Sequence, residues 1–67
     1  MVMIHLIVLD IVGGGKATFV IENIVEIIYI HGTRVYTTNG KYTEVRESVD
    51  EITKRINQIV YGDKQTS

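Results

Sequence analysis

The sequence predicts an α+β fold: a curved antiparallel sheet of about five strands followed by one C-terminal helix. Three observations point there. Isoleucine occurs 11 times and valine nine times, against two leucines, and β-branched side chains suit a pleated, half-buried surface. Most of this excess precedes residue 36, and Gly13-Gly14-Gly15, Glu22-Asn23, His31-Gly32 and Asn39-Gly40 divide the first 46 residues into short runs as turn and breaker signals. Helical spacing then follows from residue 49 onward.

Residues 3–12, MIHLIVLDIV, read as a long first strand. Ile4, Leu6 and Val8 share one face; Ile7, Leu9 and Ile11 share the other with His5. Both faces are apolar, which a two-layer fold with one wet face does not need. In a chain of 67 residues the second face is expected to meet another subunit, so the protein is expected to be a homo-oligomer. The three glycines form a hairpin connection, residues 16–21 return, and Glu22 and Asn23 break that strand. Residues 24–30, IVEIIYI, form the next strand, and His31-Gly32-Thr33 forms a turn. Residues 34–38 and 41–46 pair across Asn39-Gly40, a strong hairpin signal.

The helix has a defined start. Ser48 is a good N-cap, and Glu51 three residues on completes the spacing of a capping box. Val49, Ile52, Ile56, Ile59 and Val60 fall on one stripe. Asp50–Lys54 and Glu51–Arg55 are spaced as i,i+4 ion pairs. Gly62 is a C-terminal stop. The expected organisation is a single domain over residues 1–61 and a polar, disordered tail over 62–67.

The second hairpin has two possible registers. A two-residue turn mixes apolar and charged groups on each face. A three-residue loop of Thr38, Asn39 and Gly40, with Gly40 left-handed, pairs Val35 with Thr43 and Thr33 with Val45. It sets Tyr36 against Tyr42 and Arg34 against Glu44 on the opposite face. That register separates the faces and is preferred. It gathers Arg34, Tyr36, Tyr42, Glu44 and Arg46, and tyrosine and arginine are favoured binding anchors. The candidate ligand-binding residues are Arg34, Tyr36, Lys41, Tyr42 and Arg46: the three cations for phosphates and the two tyrosines to stack on a base. The simpler reading is a solvated outer face with one cross-strand salt bridge.

Composition narrows the function classes. The absence of cysteine removes disulfides and thiolate zinc sites, and two histidines do not replace them. Seven basic and eight acidic residues give a net charge of −1, which argues against a general nucleic-acid binder. No apolar run reaches the roughly 20 residues of a membrane helix. Met1–Leu9 lacks the positive start and small-residue cleavage site of a signal peptide, so a cytoplasmic location is expected.

The search for reactive groups finds no catalytic constellation. His5 reads as a satisfied, partly buried side chain, His31 as a turn residue and Asp10 as an edge or turn carboxylate. Gly13-Gly14-Gly15-Lys16 lacks the G-x4-G-K-S/T pattern of a phosphate loop and opens a strand, so it reads as a hairpin turn. Neither enzymatic activity nor a cofactor is expected.

Thr38-Asn39-Gly40-Lys41, followed by Val45-Arg46-Glu47-Ser48-Val49-Asp50-Glu51-Ile52, resembles the small flagellar FlbD family, which includes swarming-motility proteins. That family carries a strand, T-N-G-K, another strand and a helix start of the form V-K/R-E-S-V-D/E-E. The similarity extends back to Phe19-Val20-Ile21 and Ile24-Val25-Glu26 and is most specific over residues 37–52. Three segments differ: Leu9–Gly15 stands for the family's L-N-G, His31-Gly32-Thr33 for P-D-T, and Tyr42-Thr43-Glu44 for a lysine-rich strand. The resemblance implies a protein–protein adaptor with a flagellar or other protein partner. In size and character the chain is also similar to small phage-encoded proteins, some of which act as oligomeric sponges for nucleotide immune signals. The leading expectation is therefore a homo-oligomeric binding module for a nucleotide-type small molecule, with the adaptor as the alternative.

Overall fold

The computed structural model describes residues 3–62. The elements in order are β1 (Leu6–Asp10), β2 (Lys16–Val20), a 3-10 turn (Ile21–Asn23), β3 (Ile24–Tyr29), β4 (Thr33–Thr37), β5 (Tyr42–Val45) and α1 (Val49–Tyr61). The fold is α+β, with five antiparallel strands and one C-terminal helix. The expected single sheet is divided in two: a β1–β2 hairpin and a three-stranded sheet in the order β3-β4-β5. The two meet at a narrow seam. Ile11 bridges Val45, Val12 N–H donates to Glu44 O at 3.1 Å, and Arg46 N–H donates to Asp10 O at 2.8 Å. The seam stays short because β5 ends at Val45 and the chain caps the helix at Ser48. The seam therefore reaches only the end of β1. Of the tail expected over 62–67, Gly62 closes the helix and 63–67 lie outside the described residues.

The first strand is shorter than the 3–12 expected, but its faces divide as read. Ile7 and Leu9 are buried, whereas Ile4, Leu6 and Val8 are exposed. β2 pairs Phe19 with Ile7 and Ala17 with Leu9 on the inner side, and Val20 with Leu6 and Thr18 with Val8 on the outer. Gly13, Gly14 and Gly15 connect the strands with φ of 98°, 122° and 88°, conformations that L side chains rarely adopt. Ile21 N–H donates to His5 O at 2.8 Å, and the chain leaves the ladder there, so Glu22 and Asn23 do break the strand.

β3 bulges between Ile24 and Glu26, leaving Val25 exposed. The expected turn at His31-Gly32-Thr33 is shifted back by one residue. Tyr29 pairs with Thr33, so the loop is Ile30-His31-Gly32, and Ile30 N–H donates to Gly32 O at 2.8 Å. His31 takes φ 54° in that loop, a left-handed conformation in which histidine is enriched. Thr33 instead enters β4 and is buried opposite Val45.

The β4–β5 hairpin has the three-residue register: Thr33–Val45, Arg34–Glu44, Val35–Thr43 and Tyr36–Tyr42. Gly40 sits at φ 82°. The Asn39 carboxamide oxygen accepts from Thr37 Oγ1 at 2.7 Å and from the Lys41 N–H at 2.9 Å, which pins the loop.

The helix begins as read. Ser48 Oγ accepts from the Glu51 N–H at 3.0 Å. Among the described residues the Glu51 carboxylate makes no return bond, so half of the box is formed. The expected pairs Asp50–Lys54 and Glu51–Arg55 do not form either. Arg55 Nη1 lies 3.8 Å from Glu47 Oε2 instead. Glu47 is half-buried and held in place by a backbone donor of β1, whereas Glu51 is exposed. Gly62 ends the helix in a right-handed conformation, φ −58°, without using glycine's special freedom.

The core is Ile7, Leu9, Phe19, Val35, Val45 and Ile52, with Ala17, Ile21, Ile24, Ile27 and Ile56 packed around it. α1 lies against β1 and β3, one strand from each sheet, so the helix closes over both. Of the predicted stripe, Ile52 is fully buried and Ile59 is exposed. Ile52→Ala should lower the free energy of urea unfolding by about 2–5 kcal/mol. Ile59→Ala should cost about 1 kcal/mol or less, the difference between a sealed and a solvated site.

Candidate ligand-binding site

The outer face of the β3-β4-β5 sheet is built by alternation. Val35 and Val45 turn inward, so Arg34, Tyr36, Tyr42 and Glu44 turn outward. The register sets Arg34 between Ile28 and Glu44, and Tyr36 between Glu26 and Tyr42. The two tyrosine rings lie 5.3 Å apart between centroids at a 43° tilt, within the range of favourable aromatic pairs. The Arg34 guanidinium carbon sits 4.6 Å from the Tyr42 ring centroid, a cation–π contact along the diagonal of the hairpin. Arg34 and Tyr36 are half-buried, and Tyr42 remains open to a ligand.

The cross-strand salt bridge of the simpler reading does not form. Among the described residues Arg34 and Glu44 are register partners but not an ion pair. The Glu44 carboxylate lies against the backbone of Gly32, in the space a Cβ would occupy. The guanidinium turns to the tyrosine, and its Nε is buried without a hydrogen-bond partner. A buried donor without an acceptor is costly, about 1–3 kcal/mol.

The structure separates the five candidate residues. Arg34, Tyr36 and Tyr42 come together. Lys41 is exposed at the loop end and pairs with Thr37, on the Val35 side of the ladder. Arg46 lies past the end of β5, where the seam draws it toward the glycine hairpin. There it lines a cavity of about 320 Å³ with Asp10, Ile11, Gly14, Gly15 and Lys16.

Three other polar contacts organise the surroundings. Lys16 Nζ donates to Asp10 Oδ1 at 2.6 Å across the first hairpin, so Asp10 is an edge carboxylate with a cross-strand partner. Both Glu47 oxygens accept from the Asp10 N–H, at 3.1 and 3.0 Å. His5 is partly buried, and its Nδ1 and backbone N–H both meet the Glu22 carboxylate. Sequence reasoning missed the roles of Glu47 and Glu22. Neither stands at a helical or cross-strand spacing from its partner, so no local signal marks it. Among the described residues no group of three or more acidic or histidine side chains converges as a metal site, and no helix is long and apolar enough to cross a membrane.

Comparison with family models, with curated proteins and with solved structures finds no match for the chain.

The ionic contacts set a pH dependence. The hydrogen bond from Lys16, then its charge, hold the Asp10 carboxyl below its ordinary 3.8. The His5 backbone N–H, then its side chain, hold Glu22 below 4.5. The Asp10 hydrogen bond raises Lys16 above 10.5. Below about pH 4.5 the unfolded chain binds these protons more readily than the folded one, so stability falls as pH drops through the lowered values. The Lys16 contribution is present below 10.5 and is lost as pH rises through its raised value. Urea midpoints measured across the range should form a plateau with falling edges, and Lys16→Met should flatten the alkaline edge and blunt the acid one.

Proposed function

We propose that the chain is a non-enzymatic, homo-oligomeric binding module whose Arg34–Tyr36–Tyr42 face takes a planar, anionic small molecule of nucleotide type. In this reading it sequesters its ligand, in the manner of small phage-encoded sponges. The observation that carries it is the Arg34 guanidinium, stacked on the exposed Tyr42 ring and in no ion pair among the described residues. A guanidinium with no carboxylate partner can take a ligand phosphate, and an exposed tyrosine ring supplies a stacking surface.

Self-association is supported by the outer side of β1. Ile4, Leu6, Val8 and Val12 are each at least 42% exposed. The helix packs on the other side of the strand, with Ile52 against the Ile7 and Leu9 face. Apart from the Asp10–Lys16 pair at one end, the outer ladder is uncharged, so it suits a second copy of itself. A six-residue core is also small for an independent domain, since chains of about 60 residues bury only about 60% of their unfolded surface.

The same apolar side favours the second reading, a protein–protein adaptor of the flagellar FlbD type, in which a different protein covers β1. Native mass spectrometry on gently purified protein distinguishes the two. The binding-module reading expects an oligomer carrying extra mass in nucleotide-sized steps. A ligand-free species that captures a protein from a motile host would replace it with the adaptor. For the binding face, Arg34→Gln and Tyr42→Ala should each weaken nucleotide affinity about tenfold or more in calorimetry, near the 1.4 kcal/mol of one charged contact or stack. For the assembly face, Leu6→Glu should shift sedimentation toward the monomer. An unchanged oligomer would place the interface elsewhere.

A further inference from the structure

A cavity of about 320 Å³ lies beside the glycine hairpin. We propose that it binds a small phosphate ester, with the phosphate held by Arg46, Lys16 and the backbone of Gly15, and the organic part resting on Ile11.

The seam builds this site from two distant parts of the chain. Arg46 N–H donates to Asp10 O at 2.8 Å and Val12 N–H donates to Glu44 O at 3.1 Å. These bonds fix the backbone of Arg46 beside the β1–β2 turn, 30 residues away in sequence. The turn is open on the cavity side. A Cβ at Gly13, Gly14 or Gly15 would meet nothing within 4 Å, so a ligand can approach the backbone directly. Within the turn, Gly14 N–H donates to Ile11 O and Ile11 N–H donates to Gly15 O. The Gly15 N–H has no acceptor among the described residues. That donor, beside open backbone, is available to an oxyanion.

The charges also favour an anion. Lys16 and Arg46 bring two cations to the cavity, against the one carboxylate of Asp10. That carboxylate is engaged by Lys16 at 2.6 Å. The nearby Glu47 carboxylate is taken by the Asp10 N–H and by Arg55. Arg46 is exposed and makes no ion pair among the described residues. Its planar fork can take two phosphate oxygens while Gly15 N–H takes a third. Lys16 then shares its ammonium between Asp10 and the ligand. The 320 Å³ volume stands at the lower end of small-molecule sites, about 300–1,000 Å³. Ile11 is the apolar wall, so an ester should bind better than inorganic phosphate.

The site shares no residue with the Arg34–Tyr36–Tyr42 face, and the two readings fail separately. The test is an amide chemical-shift titration of the intact protein with inorganic phosphate and then with phenyl phosphate. Saturable shifts are expected at Gly14, Gly15, Lys16 and Arg46, with phenyl phosphate several-fold tighter. Arg46→Gln should weaken binding about tenfold with an otherwise unchanged spectrum, and Arg34→Gln should leave it intact. Shifts spread over all basic residues would overturn the site, as would binding that Arg46→Gln leaves unchanged. Loss of phosphate binding in Arg34→Gln alone would move the anion to the tyrosine face and equally overturn it.

Discussion

The short backbone seam between Asp10–Val12 and Glu44–Arg46 is the constraint on which the rest of the structure depends. An isolated two-stranded hairpin is at best marginally stable in water, and the apolar face of the three-stranded sheet needs a covering layer. The seam sets them side by side through one bridge pair, Ile11–Val45, made by two backbone bonds. Glu47 reinforces it from the helix side. Its carboxylate accepts the Asp10 N–H and lies within ion-pair reach of Arg55, so one side chain ties β1 to the cap region and to α1. With the seam closed, Ile7 and Leu9 from one sheet meet Val35 and Val45 from the other, and Ile52 seals the junction.

The same constraint decides where polar groups can act. The three-stranded sheet presents Arg34, Tyr36 and Tyr42 on its outer face, held by cross-strand register. Arg46 would extend that row if β5 ran on. Instead the strand ends at Val45, and the seam carries Arg46 to the glycine turn. The chain therefore offers two polar surfaces of different chemistry. One is aromatic with a single stacked guanidinium; the other is a small cleft with two cations and open backbone. The exposed outer side of β1 is a third surface, apolar and almost without charge.

Much of the fold was legible because it rests on local chemistry. Three consecutive glycines can serve a turn at positive φ where other residues are strained. Asn39-Gly40, with Thr37 and Lys41 bonded to the Asn39 side chain, specifies its own loop. The face-separating pairs of Tyr36 with Tyr42 and Val35 with Thr43 then fix the register. Ser48 caps the helix at the expected residue. Two of the departures involve partners distant in sequence. Arg55 left its i,i+4 neighbour because Glu47 had been fixed by a strand 37 residues earlier. Thr33 looked like a turn residue but is buried by its opposite, Val45.

The candidate site divides the same way. Arg34, Tyr36 and Tyr42 share a face because the alternation of two short strands and one loop length require it, so the sequence by itself determined their meeting. It equally determined five β-rich segments, their turns, the capped helix and the doubly apolar first strand. Only the tertiary structure decided that the strands divide into two sheets, that Arg34 turns to a ring rather than to Glu44, and that Arg46 joins Lys16 and the glycines. The first and last of those outcomes depend on which backbone groups remain unpaired after the local hairpins close. Alternation and turn chemistry act over a few residues, whereas the competition for those leftover donors and acceptors is settled across the whole chain.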